Sequence, residues 1–191
     1  MLRGPSHLRR TLLALGVVVV LLVGVGYTAV RTTAPSLGTQ GPTGVQGTAA
    51  SATFSLAKRE IRQVRYHDGT TLDYRFRLTN PDGLPVTITG IDPSQRSSRL
   101  FGYAGLQSVD GKKRFTVPAE GSREVHLLLR MGGCESLSAR AGSFASSVLV
   151  RTERMGISTG AVLVRLPEEL HTGSPREAFC PNSTAESRPP G

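Results

Sequence analysis

The chain has 191 residues, no tryptophan, two cysteines and a formal net charge of +9. That length suits one domain plus appendages. With so few aromatic residues there is little on which to stack single-stranded bases, so no nucleic-acid partner is expected. The positive charge is mostly arginine interspersed with Asp and Glu, and the densest run is only Lys112-Lys113-Arg114. Such scatter reads as a solvated surface, with a protein or an anionic envelope polymer as the candidate partner.

Residues 1–10 carry Arg3, Arg9 and Arg10 and read as a basic cytoplasmic N-terminus. Residues 11–30, TLLALGVVVVLLVGVGYTAV, hold no charge. As a helix rising 1.5 Å per residue they span about 30 Å, the thickness of a bilayer's hydrocarbon core. Basic residues precede this run and only Arg31 follows it closely. The expected topology is therefore single-pass in the plasma membrane, with the C-terminal bulk extracytoplasmic. Tyr27 falls where an interfacial aromatic belongs. A cleaved signal peptide, and hence a secreted protein, is the competing reading. Against it, Tyr27-Thr28-Ala29 places a bulky residue where a small one is needed, and Thr32-Thr33-Ala34 is followed by Pro35. A signal-anchor that contacts the lipid bilayer through residues 11–30 is expected. Gly16, Gly24 and Gly26 lack Gly-x-x-x-Gly spacing, so an accessory subunit associating through its helix is the weaker alternative.

Residues 31–51 are Thr, Gly, Ala, Pro, Ser and Gln with almost no large apolar side chain, the composition of a flexible linker. Residues 181–191 are similarly polar and read as a disordered tail. Between them, residues 52–180 show a period of two. Leu72, Tyr74, Phe76 and Leu78 alternate with Asp73, Arg75, Arg77 and Thr79, the pattern of a half-buried antiparallel strand. Asn80-Pro81-Asp82-Gly83 supplies turn chemistry, and Val86-Thr87-Ile88-Thr89 alternates again as a hairpin-like partner. Further strands are expected at 53–56, 61–66, 100–103, 114–117, 123–130, 144–152 and 158–166. Short strands at such spacing predict an all-β antiparallel sandwich of about 7–8 strands, preceded by one transmembrane helix.

Tyr74 to Pro81 followed by Leu84-Pro85-Val86-Thr87-Ile88 resembles the strand-turn-strand of immunoglobulin-like domains in bacterial single-pass cell-envelope proteins. Phe115 to Ser122 is similar to the link before a long alternating strand in such modules. The resemblance covers roughly residues 52–167 and lacks the core Trp and the cysteine spacing of antibody domains. It implies a sandwich and, by fold alone, no function.

Cys134 and Cys180 both fall on the exported side, where an isolated pair is expected to form a disulfide. In the chain-entropy model a loop of that length contributes about 4 kcal/mol. His67, His126 and His171 are not spaced for a shared metal, and His126 is expected exposed on its strand. Met131 and Met155 make no copper-type cluster with them. Neither Gly-x-Ser-x-Gly nor His-Glu-x-x-His occurs, and Gly132-Gly133 reads as the end of a strand. Glu168-Glu169 are adjacent in a Pro-flanked exit segment, with no cleft signal to make them a catalytic pair. No cofactor is expected, and an unrecognised hydrolase is the least favoured reading. The expectation is a membrane-anchored binding or structural module of the cell envelope, with Arg62, Arg65, Arg75 and Arg77 as its candidate basic face.

Overall fold

A computed structural model describes residues 5–47, 50–133, 142–172 and 178–179. It begins with helix α1 (Pro5–Thr32), followed by eleven strands. One sheet has four strands in the order β1 (Gly38–Gln46), β4 (Thr71–Asn80), β8 (Gly121–Met131) and β6 (Phe101–Ser108). The other has seven. Its path runs β11 (Ala178–Phe179), β3 (Arg59–His67), β10 (Ile157–Thr172), β9 (Ser143–Arg154), β5 (Val86–Ile91) and β7 (Phe115–Val117), with β2 (Ala50–Leu56) paired to β3.

The alternation read on β4 is the alternation observed: Leu72, Tyr74, Phe76 and Leu78 are buried, and Asp73, Arg75, Arg77 and Thr79 are not. Val125, Leu127 and Leu129 of β8 and Val148 and Val150 of β9 bury their inward faces in the same cluster, closing a core between the sheets. Each fully buried Leu, Val or Phe contributes about 1.5–3 kcal/mol relative to exposure. A mostly β chain folded as a two-sheet sandwich is the result.

Four expectations need correction. The strands number eleven among the described residues, and pairing is not purely antiparallel, because β3 runs parallel to β10 and to β11. The stretch 31–51 is not a spacer throughout. β1 pairs with β4 from Gly38↔Thr79 to Gln46↔Asp73, Pro35 is buried, and Leu37 and Val45 pack against the core. Backbone pairing needs no large side chains, and two apolar residues are enough to seat an edge strand. β4 and β5 do not form a hairpin. The chain crosses from one sheet to the other at residues 81–85, where Pro81 and Pro85 have no N–H to continue a ladder. Finally, the segment 166–172 belongs to β10 rather than to an exit loop.

Helix α1 has 28 residues and so measures about 42 Å. Among the described residues no helix is long and apolar enough to cross a membrane. Cys134, Cys180 and the tail 181–191 lie outside the described residues.

Gly47 sits where β1 leaves β4, at φ +77, and an added Cβ would lie 2.1 Å from the Thr71 carbonyl oxygen. If β1 is an integral strand, Gly47→Ala in the full chain should lower unfolding stability by more than about 1 kcal/mol. Denaturant titration in detergent would show this, whereas a loose spacer would leave the midpoint unchanged.

Candidate functional site at the helix-bearing end of the sandwich

The turn chemistry at Asn80-Pro81-Asp82-Gly83 organises one end of the sandwich. Asn80 is buried, and its amide nitrogen donates to the carbonyls of Leu84 (2.9 Å) and Pro118 (3.0 Å). Its side-chain oxygen accepts from the Asp82 N–H at 3.2 Å. The Asp82 carboxylate accepts from the Ser36 N–H at 2.9 Å and from the Arg154 guanidinium. Its backbone oxygen accepts from the Glu120 N–H at 3.0 Å. Arg154 is only 6% exposed, so Asp82 is its partner inside the protein. One residue thereby ties three segments together: the chain just past α1, the crossing between the sheets, and the end of β9.

Beyond Arg154 the chain reverses through Met155 (φ 51) and Gly156 (φ 78). Two successive left-handed residues match the twist of a tight antiparallel hairpin. Met155 at the tip is 75% exposed, more than any other large apolar residue described. Just after the tip, Gly156 to Gly160 line an open hollow of about 580 Å³, whose opposite wall is Tyr27 and Arg31 of α1. The last turns of the helix therefore lie at the level of the hairpin. Between strands, Thr152 and Thr159 join their hydroxyls at 2.8 Å.

The four arginines of the expected basic face are not brought together. Arg62 and Arg65 lie on β3 of the seven-stranded sheet, and Arg75 and Arg77 on β4 of the four-stranded one. Arg62 engages Glu168 through Nε (2.6 Å) and Nη2 (3.1 Å) in a largely buried pair. Arg75 binds Asp73 and Gln46, while Arg65 and Arg77 are exposed. The alternation of a strand sends neighbouring residues to opposite faces. Glu168 accordingly turns inward to Arg62, and Glu169 turns outward to Arg59. The Arg59 hydrogen bond holds the Glu169 carboxyl below its ordinary range. These two carboxylates do not converge.

His126 is not the exposed strand histidine expected. Its Nδ1 lies 3.0 Å from Asp73 Oδ2, and its side chain is only 13% exposed. His171 packs against the Phe144 ring at 4.6 Å, over which Arg59 also sits, and His67 is exposed at the end of β3. Among the described residues no three His, Cys, Asp or Glu side chains are grouped to hold a metal ion. Met131 is buried at the end of the sandwich opposite Met155. Burial raises the pKa of Tyr103 to about 12 and displaces those of Tyr66 and Tyr74 upward too.

No family model matches the chain, and no curated protein matches it. Among solved structures it is similar to the cupredoxin domain of amoB from Nitrosocaldus yellowstonii, at 14% identity and a TM-score of 0.28. That match covers 63% of this chain and 65% of that one, and at this level it carries no function across.

Sequence reasoning found Asn80 to Gly83 as a turn and missed its role as a tether. Arg154 continues the inward series Val148, Val150, Thr152, and a charge in phase with a buried face is the signal that points to it. Asp82→Ala leaves that buried guanidinium without its carboxylate and should cost about 3–5 kcal/mol of stability. Arg154→Met should cost less, since Asp82 is 29% exposed and keeps water. The double variant should unfold at higher denaturant than Asp82→Ala alone, as read by denaturant titration.

Proposed function

We propose that the chain is an extracytoplasmic β-sandwich anchored in the plasma membrane by α1, acting as a binding or structural module of the cell envelope rather than as an enzyme. The observation that carries this reading is the state of the helix. Its large apolar side chains from Leu12 to Val25 are 51–70% exposed, and they lie all round the axis. A helix apolar on every side has no polar face to turn to water. The uncharged run continues to Val30, and lipid is the surroundings in which such a helix is satisfied. Arg3, Arg9 and Arg10 before it support a cytoplasmic N-terminus.

The reading as a module rests on the rest of the chain. Acidic side chains on the sandwich are largely matched with basic ones: Glu168 with Arg62, Glu169 with Arg59, Glu153 with Arg114, and Asp82 with Arg154. Carboxylates so engaged are poorly placed for acid–base work. The passage of the chain between sheets at residues 81–85 supports an immunoglobulin-like connection.

In a membrane preparation the full chain should stay with the pellet after an alkaline carbonate wash and come away only in detergent. Release by carbonate, or a mature N-terminus near Pro35, would refute the anchor.

An envelope location also favours a disulfide between Cys134 and Cys180. Its support is the placement of their described neighbours at one turn. At the end of β8 the Met131 N–H donates to Thr70 at 2.8 Å, and Phe179 pairs with His67. Non-reducing peptide mass spectrometry of exported protein should find the two cysteines linked, and free thiols at both would exclude the bond.

A further inference from the structure

We infer that the end of the sandwich bearing the β9–β10 hairpin is itself a membrane-contacting surface, with Met155 at its tip entering the interfacial layer of the bilayer. This rests on the anchor reading above and adds a second site of lipid contact outside the helix.

Three observations converge on it. The first is level. Tyr27 is 47% exposed in the last turns of α1, where a tyrosine marks the headgroup layer of a spanning helix. Tyr27 and Arg31 face Gly156 to Gly160 across one hollow, so the hairpin stands at the height of that layer. The second is chemistry. Met155, next to Gly156 at the hairpin tip, is 75% exposed, and Leu84, 41% exposed, lies on the same end in the crossing held by Asp82. Exposed apolar side chains at the foot of a domain suit the boundary between headgroups and acyl chains. The third is fixity. Ser36, four residues past the helix, is bonded to Asp82, which also holds Arg154 next to Met155. The hairpin cannot swing away from the point where the chain leaves the helix without breaking that tie.

The occupant this geometry fits is a lipid surface. The apolar tip belongs to a structure whose neighbouring helix would already be immersed, and it needs no partner protein to cover it. Flexible, polarizable methionine suits a disordered medium.

The absence of tryptophan makes the test clean, since each variant carries a single tryptophan that can be excited apart from the four tyrosines. Full-length Leu21→Trp, Met155→Trp and Thr71→Trp are reconstituted in phosphatidylcholine vesicles with and without lipids brominated on the acyl chain, near the headgroup in one set for the hairpin and near the chain end in another for the helix. Leu21 reports on the helix. Thr71 starts β4 at the opposite end of the sandwich, about 30 Å from Asn80 along that ten-residue strand. At an interfacial depth of about 5–10 Å, Met155→Trp should emit blue-shifted and lose roughly half its emission to bromine. Leu21→Trp should be quenched as well, and Thr71→Trp should not. Quenching of Leu21→Trp without Met155→Trp overturns the hairpin contact and leaves the anchor standing. Equal quenching of Met155→Trp and Thr71→Trp overturns it too, because the whole sandwich would then lie on the surface. Quenching of none overturns the anchor and this inference together.

Discussion

The structure depends on the carboxylate of Asp82. It is the one group that bonds to the chain emerging from α1, to the end of β9 and, through its own backbone, to the loop before β8. Its position follows from its neighbours. Asn80 fixes the turn from within, and Pro81 and Pro85 prevent the strand from running on. Among the described residues the charge of Arg154 is met by Asp82, and the guanidinium Nε has no hydrogen-bond partner there. A weak interaction by surface standards becomes a strong constraint here because the alternative is an unmatched buried charge.

A second buried pair plays a comparable part within the sheet. Arg62, opposite Leu170 in the register, reaches back to Glu168 in a two-point contact between β3 and β10, beside the fully buried Tyr74. Such a pair adds little net stability over apolar side chains of the same size, yet it tolerates misalignment poorly. Parallel strands slipped by one residue would turn the two charges to opposite faces. The contact thus selects the register of a parallel pairing that covers only four residue pairs, Glu169↔Ile61 to Thr172↔Val64. Outside the sheet, Arg59 combines its bond to Glu169 with a seat over Phe144, joining β3 to β9 across β10.

Much of the sandwich was legible because its central strands are amphipathic in the simplest way. Leu72 to Thr79, Arg123 to Arg130 and Phe144 to Thr152 each announce one wet face and one dry one. What was not legible is whatever rests on backbone alone. β1 is held by ladder bonds and two modest apolar residues, so its glycines and threonines look like those of any loop. The sheet partner of β5 was misread for a different reason. Asn-Pro-Asp-Gly encodes a reversal, but a reversal can either pair two strands or carry the chain between layers, and only packing decides. The arginines illustrate a third limit. Arg62 and Arg65 are three apart on one strand and share a composition, yet one is a partner of buried Glu168 and the other faces outward. Of the site at the helix-bearing end, the turn residues were visible and the long-range tie of Asp82 to Arg154 was not, since 72 positions separate them.

The shortness of the join between helix and sandwich has a mechanical consequence. α1 ends at Thr32, Pro35 is already buried, and Ser36 is already bonded. A domain on a twenty-residue tether would sweep a hemisphere, and its ligand would be met at a concentration set by tether length. This one has almost no tether. Its far end is held at a nearly constant distance from the end of α1, and a turn of the helix about its axis would be delivered to the sandwich as a turn of the whole body. Helix and sandwich are joined less like a bait on a line than like a blade on its handle.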